Sequence, residues 1–182
     1  MLDNNFTIKN HFQNWLEKAD YTFMITIECD RKNAMSEEEL KQRLRTLDFK
    51  LNKKYMLCRF TKLPLQKRIF SIGFIENTQD GDRHAHVLLF IPEYSKNSGY
   101  SKNISPFKAK FVSLDIIQSW FSIPSLKPDG NFRKLKSPHI MRIKKDIRKS
   151  PPRYASKQVG INFDNMFFTF DGFDKNNTSV FQ

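Results

Sequence analysis

Two apolar segments separated by a tight turn constrain the fold of this chain more than any other feature. Phe70–Glu76 and Arg83–Ile91 both have the composition of β-strands, and Asp80, Gly81 and Asp82 between them are typical turn residues. Strands joined by a connection this short pair in antiparallel fashion. The pattern therefore predicts a β-hairpin over these residues.

Two histidines and one glutamate lie where this hairpin would bring them together. His84 and His86 are two residues apart, so on a strand they project from one face, together with Leu88 and Phe90. Glu76, at the end of the first strand, returns beside them. Buried imidazoles need a partner, and two imidazoles with one carboxylate can hold a divalent metal while leaving positions open for a substrate. A purely structural histidine pair is the alternative at this stage.

The charge of the chain favours a polyanionic partner. Its 182 residues contain 31 lysines and arginines against 19 aspartates and glutamates, which gives a net charge of +12. A surplus of this size is typical of proteins that bind nucleic acid, although a basic surface can also serve solubility alone.

Cysteine usage and hydropathy indicate an intracellular protein. Cys29 and Cys58 are the only cysteines and lack Cys-x-x-Cys spacing, so we expect thiols in a reducing compartment. The first residues lack the apolar core of a signal peptide, and no apolar run reaches membrane length, so no membrane partner is expected.

The remaining elements alternate between strand and helix patterns. Ser36 followed by Glu39 is a capping box that opens a helix, and Ser150-Pro151-Pro152 ahead of Gly160 predicts a short helix over about residues 151–159. The other predicted elements are strands at Tyr21–Glu28, Pro138–Lys144 and Met166–Phe170, a core stripe of Leu40, Leu44, Leu47 and Leu51 on the Ser36 helix, and a helix at Phe107–Phe121 with the stripe Phe111, Leu114, Ile117 and Trp120. This order predicts one α+β domain over residues 1–182, with a central, largely antiparallel sheet flanked by helices. Its core would span about 21–170, with 1–20 and 171–182 peripheral.

The short helix carries a second set of reactive groups. Lys157 and Gln158 follow Tyr154 by three and four residues, which places both on the tyrosine's side of the helix. Together with Glu76 and His84-Ala85-His86, the Tyr-x-x-Lys spacing resembles the HUH endonucleases, in particular the rolling-circle replication initiator (Rep) branch. Their fold is RRM-like.

The resemblance spans roughly Tyr21 to Gly160 and has two departures. The strand Tyr21–Glu28 stands where the family has its first motif, and Pro138-His139-Ile140 resembles its final strand. Gln158-Val159-Gly160 replaces the acidic residue and glycine that commonly follow the lysine, and Ala85 is smaller than the usual bulky residue. Neither departure removes a catalytic group.

The resemblance implies metal-dependent nicking and joining of single-stranded DNA. Glu76, His84 and His86 would hold Mn²⁺ or Mg²⁺ against the scissile phosphate. Tyr154 would attack as the phenolate and form a covalent 5′-phosphotyrosine linkage, leaving a 3′-hydroxyl that primes replication of a plasmid or virus. Lys157 would favour the attacking form or offset charge in the transition state. The cell compartment would be the cytoplasm of a prokaryotic host, or the nucleus for a eukaryotic virus.

The implied substrate is single-stranded DNA or a hairpin origin. Basic residues expected to bind its backbone are Lys134, Lys136, Arg142, Lys144, Lys145, Arg148, Lys149 and Arg153, and loop aromatics that can stack on bases are Tyr94, Tyr100 and Phe132. The sequence has no P-loop motif, so we expect no nucleotide cofactor in this chain and a host or separate helicase as partner.

Three alternatives stay open. In a single-tyrosine HUH transposase, Gln158, four residues after Tyr154, would replace Glu76 as the third metal ligand. A relaxase is less favoured, because relaxases usually place the tyrosine near the N-terminus and use three histidines. A non-catalytic basic DNA-binding regulator would need neither metal nor Tyr154. His11 and His139 are expected to be structural or surface residues.

Overall fold

The computed structural model describes residues 14, 16, 21–29, 35–56, 60–77, 83–92, 109–143 and 166–169. The described strands are β1 (Phe23–Cys29), β2 (Phe70–Asn77), β3 (Arg83–Phe90), β4 (His139–Arg142) and β5 (Met166–Phe168), and the described helices are α1 (Glu37–Tyr55) and α2 (Ala109–Phe121). Two 3₁₀ turns, Phe60–Lys62 and Leu65–Lys67, precede β2. The predicted helix at 151–159 lies outside the described residues.

The five strands form one antiparallel sheet in the order β4-β1-β3-β2-β5. β2 and β3 pair from Phe70 opposite Phe90 to Asn77 opposite Arg83, which confirms the predicted pairing of these strands. The short strands β4 and β5 form opposite edges. The predicted α+β class with a central antiparallel sheet is confirmed.

Helix α1 begins where the capping pattern predicts. The Ser36 hydroxyl accepts a hydrogen bond from the Glu39 backbone N–H at 3.1 Å, which satisfies a donor that the first helical turn leaves open. The Glu39 carboxylate accepts from Arg133 Nη2 at 2.9 Å, which ties the start of the helix to a distant loop. The predicted apolar stripe is fully buried and consists of Leu40, Leu44, Leu47 and Leu51.

The buried face of helix α2 includes Trp120, as predicted, but differs from the predicted stripe at Leu114. Leu114, assigned to the buried stripe, is 53% exposed, whereas Val112, Ile116 and Trp120 are buried. Both sets have helical spacing, so the sequence pattern alone does not choose between them. Packing against α1 and the sheet makes the choice, and the predicted stripe is wrong at Leu114.

The two faces of the sheet have separate apolar clusters. Both described helices pack on the first face, whose strand residues include Phe23, Ile25, Ile27, Ala85, Val87 and Leu89. The opposite face contains Leu16, Met24, Ile72, Phe74 and Leu88. This second face is the one from which His84 and His86 project, because they alternate with Ala85 and Val87.

A buried polar cluster joins α1 to the sheet on the helix-covered side. Asp48 accepts a hydrogen bond from Ser71 Oγ at 2.8 Å and is hydrogen-bonded to the Thr169 hydroxyl. The Ser71 N–H in turn donates to Thr169 Oγ1 at 2.9 Å. These contacts connect α1, β2 and the residue that follows edge strand β5.

Within the described ranges, no helix is long and apolar enough to cross a membrane.

Candidate functional site

Three neighbouring strands place Glu28, His84 and Glu76 in one row across the sheet. Glu76 of β2 is directly opposite His84 of β3, and on the other side of β3 His84 is directly opposite Glu28 of β1. Directly paired residues of antiparallel strands project from the same face, with Cβ atoms about 4.5–5.5 Å apart. The hairpin thus returns Glu76 beside His84 as predicted, and it adds a second carboxylate on the other side of the imidazole.

His86 lies in the next row on the same face, between Thr26 and Phe74. Its side chain is buried, with 5% exposed. Thr26 Oγ1 is 3.3 Å from His86 Nδ1, and His86 Nε2 is 3.8 Å from Glu76 Oε2. The threonine hydroxyl therefore holds the ring by one nitrogen while the other nitrogen is directed toward the carboxylate.

The contact between His86 and Glu76 suits a shared cation. A separation of 3.8 Å is longer than a hydrogen bond, yet shorter than two metal–ligand bonds of about 2.0–2.2 Å placed end to end. Both atoms can therefore contact one ion. If Nδ1–H donates to the Thr26 hydroxyl, the lone pair of Nε2 is available as a ligand.

The third predicted ligand, His84, lies in the row next to that of His86, and the 3.8 Å contact between Glu76 and His86 does not include it. His84 is only partly buried and pairs with Glu76 through the backbone register. In the part of the chain that the structure describes, no three His, Cys, Asp or Glu side chains lie close enough together to hold a metal ion. The described site is therefore the Glu76–His86 contact, with His84 adjacent in the next row.

The two carboxylates of the first row differ sharply in environment. The side chain of Glu76 is 11% exposed, while that of Glu28 is 52% exposed. Removing a carboxylate from water is costly unless a cation or hydrogen-bond donor replaces the solvent. Glu76 therefore depends on its partners, which include His86, more strongly than Glu28 does.

A predicted DNA-binding lysine reaches the same row. Lys136 Nζ lies 3.4 Å from Glu28 Oε2, and both side chains are about half exposed. Such an exposed pair contributes little to stability, so either partner is available for exchange with another ion. The contact places a positive charge next to the His84 row.

The other predicted DNA-binding residues are distributed unevenly. Lys134 is exposed, and Arg142 is exposed at the end of edge strand β4. Arg142 pairs with Phe23, so it projects from the helix-covered face and not from the face of His86. Predicted site residues outside the described ranges are Tyr154, Lys157, Gln158, Lys144, Lys145, Arg148, Lys149 and Arg153.

Three residues of the row pattern were not predicted from the sequence. Glu28 and Thr26 of β1 project from the same sheet face as His84 and His86. His139 of β4, expected to be a structural or surface residue, is exposed and pairs with Thr26 on that face. The alternation of β1 was visible in the sequence. The register that sets Glu28 against His84 depends on long-range pairing, and no local signal specifies it.

Comparison with protein-family models, with curated proteins and with solved structures found no match.

Proposed function

We propose that this protein is a metal-dependent enzyme of the HUH type, a Rep-like initiator that nicks and joins single-stranded DNA. The observation that supports the proposal most directly is the cross-strand arrangement of Glu76, His84 and His86. Glu76 faces His84 in the register and contacts His86 at 3.8 Å, all from one face of an antiparallel sheet. A carboxylate and two imidazoles are suitable ligands for Mn²⁺ or Mg²⁺, and in this proposal His84 would complete the site that the Glu76–His86 contact begins.

The proposed ligands and nucleophile have distinct roles. A divalent ion held by Glu76, His84 and His86 would neutralise and polarise the scissile phosphate. Tyr154 attacks the phosphorus through its phenolic oxygen, the bond from phosphorus to the 3′ oxygen breaks, and the phenolic proton is transferred overall to that leaving oxygen. The strand is then linked to Tyr154 through its 5′ phosphate and retains a free 3′-hydroxyl. Lys157 supplies positive charge near the transferred phosphate.

The sheet topology is compatible with a tyrosine on this segment. β4 and β5 lie at opposite edges of the sheet, and residues 144–165, which include Tyr154, connect them along the chain. Helices α1 and α2 pack on the opposite face of the sheet, whereas Leu16 packs on the face from which His84 and His86 project. The proposed mechanism requires that this connection bring Tyr154 to the metal ligands.

Positive charge supports a nucleic-acid substrate. The net charge is +12, and Lys136 already lies beside the His84 row through its contact with Glu28. Cationic side chains at this position would bind phosphates of the strand and make affinity fall with increasing salt. Single-stranded or hairpin DNA is the proposed substrate. The scissile phosphate must reach both Tyr154 and the metal ligands, and a phosphate within a duplex fits such a site poorly.

A non-catalytic, basic DNA-binding protein is the second candidate. The observation that favours it is the absence of a ready three-residue metal cluster within the described ranges. A regulator of this kind would bind DNA equally well with or without metal, and Tyr154→Phe would leave its DNA binding unchanged.

A covalent-adduct assay separates the two candidates. The protein is incubated with Mn²⁺ and a pool of single-stranded DNA labelled at the 3′ end, the end retained by a 5′-phosphotyrosine, and then run on a denaturing gel. We expect a protein-linked band that disappears with EDTA and with Tyr154→Phe but persists with Tyr55→Phe, a control at the end of α1 on the helix-covered face. Salt-sensitive DNA binding with no adduct across pools that include hairpin strands would overturn the enzymatic proposal.

A further inference from the structure

An open cleft of about 310 Å³ lies between the C-terminal end of α2 and the chain that follows it. The cleft walls include Phe121 and Ser122 at the helix end, and Ser125, Phe132, Arg133 and Leu135 on the following chain. It lies apart from the Glu76–His86 contact, and the nicking chemistry proposed above assigns it no role.

A tight turn shapes one wall of this cleft. Leu126 pairs with Phe132 in an isolated antiparallel bridge, and the Arg133 N–H donates to the Ser125 carbonyl at 2.9 Å. Between them Gly130 has a φ of +80°, a conformation that favours glycine. The turn therefore has a defined backbone path that presents Phe132 at its base.

Buried polar contacts hold both walls against α1. Arg133 donates to the Glu39 carboxylate at 2.9 Å and 3.1 Å. Arg43 donates to the Trp120 carbonyl at 2.6 Å and to the Pro124 carbonyl at 3.2 Å, and so fixes the end of α2 to the start of the turn. The cleft is thus formed before any ligand arrives, which lowers the entropic cost of binding.

Two aromatic rings at this cleft are exposed to solvent. Phe132 is 78% exposed and Phe121 is 47% exposed. One exposed phenylalanine is ordinary on a protein surface, but two lining the same preformed cleft give an apolar surface suited to a flat, stacking ligand. Nucleic-acid bases are such ligands, and stacking on aromatic side chains is the usual way in which single strands are bound.

Neighbouring charges favour a nucleotide over an apolar peptide. Lys134 and Lys136, which flank Leu135 of the cleft wall, are both exposed and can bind phosphate. A base on Phe132 would leave its backbone close to these two lysines. An apolar peptide segment would make no favourable electrostatic contact with these two lysines.

The cleft is within reach of the proposed metal site. Lys136 contacts Glu28, which pairs with His84, and the four residues of chain from Phe132 to Lys136 span at most about 14 Å. That span reaches the Lys136–Glu28 contact beside His84, and a single strand that continues to His86 must also pass from the helix-covered side of the sheet to the opposite face.

We propose that this cleft is a base-stacking subsite for single-stranded DNA, with Phe132 and Phe121 as the stacking residues and Lys134 and Lys136 as phosphate contacts. The subsite deepens the proposed nicking function and depends on it for its biological role, since it would hold a nucleotide a few positions from the cleaved phosphate. As a binding site it needs neither the metal nor Tyr154.

Binding is therefore tested without chemistry. Fluorescence anisotropy with a short fluorescein-labelled oligothymidylate is measured in EDTA for the wild type, Phe132→Ala, Phe132→Trp and Leu114→Ala. Leu114 is the matched control, because it is an exposed apolar residue of α2 away from the cleft lining. We expect Phe132→Ala to weaken binding between about 5-fold and 100-fold, Phe132→Trp to retain it, and Leu114→Ala to have no effect.

The salt dependence and the adduct assay separate the possible failures. Phe132→Ala should leave the slope of log Kd against log salt unchanged, while Lys134→Ala should lower it by about 0.7. Wild-type affinity in Phe132→Ala, with circular dichroism confirming the fold, would overturn the subsite. A wild-type adduct with that same result leaves nicking intact, whereas a binding loss in Phe132→Ala without any wild-type adduct supports the subsite and contradicts nicking.

Discussion

Glu28 of β1 lies directly opposite His84 of β3, and the Glu28 carboxylate contacts Lys136 at 3.4 Å. A predicted DNA-binding lysine is therefore joined through one carboxylate to the histidine row of the candidate site. Because the Lys136–Glu28 pair is half exposed, a DNA phosphate can replace Glu28 as the partner of Lys136 at little cost. Glu28 would then be a carboxylate available beside His84.

Metal affinity should distinguish the two carboxylates from the glutamine alternative. We expect Glu76→Gln to weaken Mn²⁺ binding at least tenfold, because Glu76 is the buried carboxylate that contacts His86. Glu28→Gln should change it much less, and Gln158→Ala should not change it. Titration calorimetry with Mn²⁺ measures each, with the exposed Glu38→Gln as control. Loss of binding in Gln158→Ala alone would favour the transposase assignment.

Thr26 should act as a positioning residue for His86. Replacing it with valine removes the hydroxyl 3.3 Å from Nδ1 while keeping the side-chain shape, so the ring loses its orientation. Mn²⁺ affinity should fall about tenfold, and Thr26→Ser should restore it. A thermal melt without metal serves as the stability control. Equal Mn²⁺ affinity of Thr26→Val and the wild type would show that the hydroxyl does not orient the ring.

Asp48 should make stability depend on pH. Burial raises its pKa from 3.8 to about 7, and neighbouring hydrogen bonds from Thr169 and Ser71 offset this only in part. Because the folded protein binds this proton more tightly than the unfolded chain does, the stabilisation is complete below about pH 4 and is lost as pH rises to about 7.

Asp48→Asn imitates the protonated form and should remove that dependence. The side-chain amide can donate to Thr169 Oγ1, whose own hydrogen is then directed to the Ser71 carbonyl at 3.1 Å. Between pH 5 and pH 8, urea denaturation should show the wild type losing about 2–3 kcal/mol more free energy of unfolding than the variant. Parallel pH curves would mean that folding does not shift the titration of Asp48.

Gly73 should be intolerant of a side chain. It pairs directly with Phe167 of edge strand β5, and a Cβ at this position would overlap the phenylalanine ring. We expect Gly73→Ala to lower the free energy of unfolding by about 1–3 kcal/mol, because the ring must shift or the edge strand must move. Denaturation of the Gly73→Ala/Phe167→Ala double variant provides the control: a non-additive effect is expected, and strict additivity would contradict the overlap.

Local patterns in the sequence were sufficient for most of the secondary structure. The alternation of Phe23, Ile25 and Ile27, the Ser36 cap and the strands on either side of Asp80–Asp82 each depend on residues close together in the chain. The prediction failed at Leu114, because α2 has two apolar stripes and only the packing surface of α1 and the sheet selects one of them.

The sequence by itself determined strands β1, β2 and β3 and the start of α1, and that His84 and His86 share a face with Glu76 nearby. Those properties follow from the twofold period of a strand and from short connections. Only the tertiary structure decided that β1 lies beside β3 with Glu28 against His84, that Thr26 holds His86, and that Phe121 and Phe132 border one cleft. Register and cleft shape arise from pairing and packing between residues distant in the chain, where many alternatives have equally good local patterns.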